Sequence, residues 1–337
     1  MQPCIQKVAV LGAGTWGAAL ALTASCAGRD VILWTHTDEE AEAVRRTRHS
    51  VKSSSGRPLP LGVAVTSDIK LLSGADLVLV VVPSMAVRGA ARMLANAGLP
   101  PDTPVVSCSK GIEKDTHLRM SEILGENLPN PIGVLSGPNH AEDVCEGRPS
   151  VSLVGFKCLE LADAVQNALS TNVFRIYSST DLVSMELGGA IKNVFAIAAG
   201  ICEGLGLGAN AKAALVTRGL AEMTRIGIAN GGRPETFMGL SGMGDLIATC
   251  YSHHSRNLCA GLAIAAGKTP AQAERDAGMV VEGLPNTLSS YQLARRDQVR
   301  TPIIDVMYDI LYRGKPPIVA LNELMDRGLR AERIEDN

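Results

Sequence analysis

A short apolar run, Val8–Leu11, ends directly in Gly12-Ala13-Gly14-Thr15-Trp16-Gly17. This junction constrains the fold more than any other part of the chain. In the pattern G-x-G-x-x-G, the first glycine permits a tight turn. The second lets a pyrophosphate approach the backbone, and the third lets the next helix pack on the strand. The small-residue stretch Ala18–Ala27 follows as that helix. Its N-terminus would offer unpaired N–H groups and the positive end of a dipole to phosphates. Strand, glycine turn and helix in this order open a doubly wound α/β sheet that binds a dinucleotide, so Gly12, Gly14 and Gly17 are candidate cofactor contacts.

The rest of the first half agrees with that opening. Val31–Trp34, Leu77–Val82, Val105–Cys108, Ile132–Leu135 and Val151–Val154 are runs rich in Val, Ile and Leu. Unbroken runs of this kind fit strands buried on both faces of a parallel sheet. Helical stretches at Glu39–Thr47 and Met85–Ala97 lie between them. The segment His49–Pro60, rich in Ser, Gly and Pro, reads as an exposed, mobile loop. After about Ser178 the pattern changes to long Ala- and Leu-rich segments: Leu182–Ile201, Lys212–Asn230, Asn257–Ala266, Thr287–Arg296, Ile304–Leu311 and Ile318–Met325. The expected fold is α/β: an N-terminal doubly wound Rossmann-type domain, residues 1–180, followed by an all-α C-terminal domain, residues 181–337.

Several function classes are disfavoured. A net charge of −2 and 3% aromatic residues give no basis for binding nucleic acid or an anionic membrane. Eight scattered cysteines without a C-x-x-C pair read as reduced thiols of a cytoplasmic protein. His253–His254 near Cys250 and Cys259 match no zinc spacing, so no metal is expected. The first apolar run is too short for a signal peptide. Leu182–Ile201 approaches the length of a membrane span but carries Glu186, Lys192 and Asn193. It reads as a buried helix that does not span a membrane.

Other residues carry candidate chemistry. An NAD-only site places Asp or Glu at the end of the second strand, whereas this chain has Leu33-Trp34-Thr35-His36. His36 with Arg45 or Arg46 suits a 2′-phosphate, and a solvated helix face explains the arginines equally well. The cofactor is therefore NADP or NAD, with NADPH mildly favoured. Lys110 follows a strand where ligands bind in open α/β folds, and Ser136-Gly137-Pro138-Asn139-His140-Ala141 forms a second rim. Lys192 lies mid-helix, one turn after Gly188 and Gly189. The glycines make sense if something approaches the backbone beside Lys192; the alternative is close helix packing with Lys192 turned outward. Asp245 stands in a glycine-rich loop, and Ser255-Arg256-Asn257 opens a helix. A hydroxyl, a guanidinium and free amides together suit a phosphate monoester, with a plain serine cap as the alternative.

Gly188–Met223 (GGAIKNVFAIAAGICEGLGLGANAKAALVTRGLAEM) and Thr236–Asn257 (TFMGLSGMGDLIATCYSHHSRN) resemble the signature blocks of the soluble, bacterial-type NAD(P)-dependent glycerol-3-phosphate dehydrogenase family. Cys108–Glu113, Ser136–Pro138 and Val281–Gly283 match as well. The resemblance implies that Lys192 is the proton-transfer lysine. It implies substrate contacts at Lys110, Asp245, Ser255, Arg256 and Asn257, and Gly137, Asn139 and Asn193 join that candidate set. Thr15, Trp16, His36, Ala141, Glu282 and Arg256 would contact the cofactor, joined by Lys110 and Val280. Lys192, Lys110 and Asp245 form the catalytic set. At Asn139-His140 the family usually has a small hydroxyl residue followed by phenylalanine, so direct contact at Asn139 is in doubt. Thr15 replaces a commoner serine and keeps the hydroxyl.

The resemblance implies reversible reduction of dihydroxyacetone phosphate by NAD(P)H to glycerol 3-phosphate, supplying glycerophospholipid synthesis. The partner is this small-molecule substrate, and a homodimer is open. A β-hydroxyacid dehydrogenase of similar architecture would need a carboxylate site in place of Ser255–Asn257. A nicotinamide-binding sensor without turnover would have no need of Lys192 and Asp245.

Overall fold

The computed structural model describes residues 4–50, 52 and 56–328. The described residues form two compact units, drawn from 1–110 with 119–182 and from 111–118 with 183–337.

In the first unit, strands β1 (Lys7–Leu11), β2 (Asp30–Trp34), β3 (Ala64–Thr66), β4 (Leu77–Val80), β5 (Val105–Ser107), β6 (Ile132–Ser136), β7 (Ser150–Phe156) and β8 (Phe174–Ser179) form one sheet. Their spatial order is β3-β2-β1-β4-β5-β6-β7-β8. The first six strands are parallel, with Val8 opposite Val31 on one side and Leu77 on the other. Helices α1 (Thr15–Cys26), α2 (Asp38–Thr47), α3 (Val87–Asn96), α4 (Met120–Asn127), α5 (Ala141–Glu146) and α6 (Leu159–Leu169) connect the strands. Helix α1 buries Gly17–Ala24 without a break, because its small side chains let it lie close to the sheet. Val8, Val10, Leu33, Leu77 and Leu79 form the centre of the core.

One expectation for this unit is corrected and one is refined. The run at Val151–Val154 is not a further parallel strand: β7 runs antiparallel to β6, with Leu135 opposite Val154. The connection holds only the 6-residue helix α5, and the chain re-enters the sheet from the end at which β6 leaves it. The segment His49–Pro60 contains residues 51 and 53–55, which lie outside the described residues. In its described part Lys52, Arg57 and Pro58 are exposed as expected, while three contacts anchor it. Ser50 Oγ donates to Ala13 O at 2.9 Å, Arg57 N donates to Cys145 O at 3.0 Å, and Leu59 is buried.

The second unit is helical: α7 (Leu182–Gly204), α8 (Gly208–Ala229), α9 (Pro234–Phe237), α10 (Asp245–Tyr251), α11 (Arg256–Ala265), α12 (Pro270–Ala277), α13 (Gly283–Arg296), α14 (Pro302–Arg313) and α15 (Pro317–Met325). Helix α7 is buried on every side from Ser184 to Ile201, as expected for the central helix of a bundle. It is long and apolar enough to cross a membrane, but 89% of its most apolar window is buried inside the protein. The segment 111–118 packs with these helices: Ile112 joins their core, and Ser289 Oγ donates to Ile112 O at 3.2 Å.

Candidate active site

In the first unit the glycine turn sits at the carboxyl end of β1, where the strand order reverses between β2 and β4. Gly12 has φ +120°, and a Cβ there would lie 2.4 Å from Val81 O. A Cβ on Gly17 would lie 1.8 Å from Gly12 O, so only glycine lets α1 begin this close to the strand. Gly14 differs: a Cβ there would meet nothing within 4 Å. It is the N-cap of α1 and makes no side-chain cap. The first amides of α1, including those of Thr15 and Trp16, lack intrahelical acceptors. Open space over Gly14 beside unpaired helix amides fits a pyrophosphate.

At the end of β2, His36 is exposed, with its ring 6.0 Å from that of Trp34. Its backbone N donates to Glu40 Oε2 at 3.2 Å. Arg45 is turned away, with Nε donating to Val65 O at 3.2 Å and Nη1 pairing with Glu42 at 3.1 Å. Lys110 lies just past β5 and donates from Nζ to Gly137 O, just past β6, at 2.9 Å. Asn139 Nδ2 donates to Val151 O at 2.9 Å, and its Oδ1 accepts from Ser152 Oγ at 3.0 Å. The Asn139 amide thus joins its loop to β7. Ala141 opens α5 after His140.

In the second unit, Lys192 is 6% exposed and Asp245 is 2% exposed. Lys192 Nζ donates to Asp245 Oδ1 at 2.6 Å and to Thr249 Oγ1 at 2.6 Å. Thr249 Oγ1 donates back to Asp245 O at 2.6 Å. Asp245 and Thr249 lie one turn apart on α10, so one helix face supplies both partners. Thr249 escaped the sequence reading; its i, i+4 spacing from Asp245 is the signal that would have found it. The glycine one turn before Lys192 admits a close backbone approach, as expected. A Cβ on Gly188 would lie 2.6 Å from Ser241 O, in the widened helical turn Leu240–Gly244 that precedes α10. The close approach is made by the protein's own backbone, while Lys192 points inward to its partners.

Around α11 the candidate residues form a second polar group. Ser255 is buried and caps the helix, its Oγ accepting from Leu258 N at 3.3 Å. Arg256 is exposed and anchored through Nη1 to Val280 O at 3.0 Å. Asn257 Nδ2 donates to Asn193 Oδ1 at 2.9 Å, and Asn257 Oδ1 accepts from Gly283 N at 2.9 Å. These bonds tie α7, α11 and the start of α13 together. Glu282 is half-buried and stands immediately before α13.

Comparison with known proteins decides the family. Models described as the N-terminus and C-terminus of NAD-dependent glycerol-3-phosphate dehydrogenase match residues 7–162 and 181–322. A glycerol-3-phosphate dehydrogenase of Desulfitobacterium hafniense, named for NAD(P)+, is 44% identical over 97% of this chain and 93% of its own length. One from a Geobacter species is 45% identical over 98% of this chain and 99% of its own. The chain belongs to the NAD-dependent glycerol-3-phosphate dehydrogenase family. The crystal structure of the Coxiella burnetii glycerol-3-phosphate dehydrogenase superposes with a TM-score of 0.91 at 33% identity, covering 96% of this chain and 99% of that one. Membership in this family removes the β-hydroxyacid dehydrogenase alternative.

In a dehydrogenase of this family the glycine turn is open to direct test. Gly17→Ala forces α1 away from Gly12 O. A backbone shift of this kind costs about 1–3 kcal/mol, so NADH affinity is expected to fall about 5- to 150-fold. Fluorescence titration of the reduced cofactor measures it, and an unchanged Kd would remove Gly17 from the cofactor site.

Proposed function

We propose that this chain catalyses the reversible NAD(P)H-dependent reduction of dihydroxyacetone phosphate to sn-glycerol 3-phosphate. Family membership supports the activity. The observation that supports the chemistry is the buried Lys192 ammonium, held at 2.6 Å by both Asp245 and Thr249. A lysine fixed in this way has a defined direction in which to deliver a proton.

Residues 1–180 are assigned cofactor binding, and residues 181–337 substrate binding and proton transfer, with the 111–118 segment clustering with the helices. Gly12, Gly14, Thr15, Trp16 and Gly17 would hold the pyrophosphate, with His36 near the adenosine ribose. Ala141, Val280, Glu282, Lys110 and Arg256 complete the proposed cofactor contacts. When bound there, the nicotinamide would supply the hydride for the C2 carbonyl carbon. Lys192 Nζ gives its proton to the carbonyl oxygen, and solvent reprotonates the amine. The adjacent carboxylate of Asp245 holds Nζ in place at 2.6 Å. Thr249 restrains the direction of the N–H bonds. Lys110 adds positive potential for substrate oxygen. Arg256 and the amides at the start of α11 bind the phosphate, and binding energy from that remote group positions the ketone. Gly137, Asn139, Asn193, Ser255 and Asn257 frame the substrate. The internal bonds of Asn139 favour an indirect role for it.

Glycerophospholipid synthesis is the proposed destination of the product and the cytoplasm the proposed location; the eight free cysteines support the latter. Oxidation of NADH and NADPH with dihydroxyacetone phosphate tests the activity, and no oxidation with either would overturn it. For cofactor choice, His36 favours NADPH mildly, while the Glu40 carboxylate beside its backbone opposes a 2′-phosphate. The two cofactors are expected to differ less than about tenfold, since opposing charges here each contribute about 1 kcal/mol. Parallel titrations at low and high salt check this. A salt-independent NADH preference of more than about tenfold, or 1.4 kcal/mol, would show that another residue reads the ribose.

A further inference from the structure

Lys212 is buried in the second turn of α8, outside the residues assigned to the chemistry. Its Nζ donates to Glu203 Oε2 at 2.7 Å and lies 4.7 Å from the centroid of the Tyr251 ring. Glu203 is the penultimate residue of α7. An acid at a helix C-terminus is opposed by the dipole, so its placement calls for compensation. Lys212 supplies it and holds the Glu203 carboxyl below the usual carboxylate range. The other oxygen of Glu203 faces His253 Nε2 at 3.4 Å. Tyr251 is the last residue of α10, the helix that carries Asp245 and Thr249. The turn after it closes through Ser255 N to Ser252 O at 2.9 Å and delivers Ser255 and Arg256 to the start of α11. His253 O in that turn also accepts from Cys259 Sγ at 3.3 Å.

We infer that Lys212 is a positioning residue for phosphate recognition: held by Glu203 and laid on the Tyr251 ring, it fixes the Ser252–Ser255 turn and thereby sets where Ser255 and Arg256 stand. This role rests on the proposed reading of Ser255 and Arg256 as phosphate contacts. The α10 helix is restrained at both ends, by Lys192 at Asp245 and Thr249 and by Lys212 at Tyr251. Loss of the second restraint leaves the proton-transfer lysine in place and loosens the turn. The predicted signature is therefore a change in substrate affinity rather than in the chemical step. Tyr251 is 50% exposed, with the Lys212 ammonium over its ring.

The test uses three variants of the full chain. Lys212→Met keeps the apolar stem and removes the charge, Lys212→Arg keeps the charge and the ring contact, and Tyr251→Leu removes the ring. KM for dihydroxyacetone phosphate is expected to rise about 3- to 30-fold in Lys212→Met and Tyr251→Leu, the range of a cation–π contact. In both, kcat should stay within about twofold, and Lys212→Arg should return KM toward wild type. Hydrogen exchange should show loss of protection at residues 252–258 in Lys212→Met and not in the Lys192 helix. A merely structural lysine would lower Tm and leave the ratio of KM to kcat effects unchanged. Wild-type KM in Lys212→Met would overturn the inference, as would unchanged protection at 252–258. If Lys212→Met does not fold, Tyr251→Leu carries the same test, with the same outcomes. Failure of wild-type protein to reduce dihydroxyacetone phosphate would instead overturn the functional reading, and the positioning role with it.

Discussion

Lys192→Ala is expected to lower kcat by about 10²- to 10⁴-fold, the usual contribution of a general acid–base group. The sequence alone points to a variant with nearly intact stability. Burial adds a second effect. Asp245, 2% exposed, loses the cation that compensates it, and breaking a buried pair from one side costs about 3–5 kcal/mol. The variant should therefore melt well below wild type as well as being inactive. The double variant Lys192→Met/Asp245→Asn should recover much of the stability, because no charge is then left unpaired, and should remain inactive. Thermal unfolding and steady-state rates on the same preparations separate the two effects. A single variant that keeps more than about a tenth of wild-type kcat would exclude Lys192 from proton transfer.

The second large effect is expected at Arg256. A hydrogen bond to a charged group contributes about 1.5–3 kcal/mol, so Arg256→Ala should raise KM for dihydroxyacetone phosphate about 10- to 100-fold. Unphosphorylated dihydroxyacetone should be a poor substrate for wild type and lose little more in the variant. The structure refines the expectation for Arg256→Lys. Arg256 already spends one guanidinium nitrogen on Val280 O, and a lysine's single ammonium is poorly shaped to hold that carbonyl and a phosphate together. Lysine should therefore rescue only part of the loss. Equal proportional losses for the two ketones would remove Arg256 from phosphate recognition.

The parts of the molecule legible in the sequence are those set by local pattern. The Gly12–Gly17 turn was readable because Gly12 and Gly17 answer backbone requirements that no other residue meets, while Gly14 leaves space open over the helix start. The runs that became β1, β2, β4, β5 and β6 were readable because strands buried on both faces contain little but Val, Ile and Leu. The strands that escaped notice lack that pattern. β3 has 3 residues, and β8 alternates buried Phe174 and Ile176 with exposed Arg175 and Tyr177, as an edge strand does. The antiparallel direction of β7 was not legible, because an apolar run specifies burial and not the strand it pairs with.

The candidate site divides in the same way. Lys192 stood out because a charge inside an apolar helix is costly, and Asp245 because of its glycine-rich setting. Whether Asp245 orients Lys192 or binds a substrate hydroxyl stays open in the sequence, because a contact between residues 53 positions apart is not legible there. The same holds for Thr249, for the Asn193–Asn257 bridge, and for Ser241 O packing against Gly188. By itself, then, the sequence determined the strand–turn–helix opening, the change to a helical second half, and the kinds of side chain available for chemistry. Each depends on backbone sterics or on hydrophobic periodicity over a few neighbouring residues. Only the tertiary structure decided that Lys192 faces inward, that Asp245 and Thr249 receive it, and that Lys212 rests on Tyr251. These are contacts between distant segments, chosen by how the helices pack and by the need to pair every charge that packing removes from water.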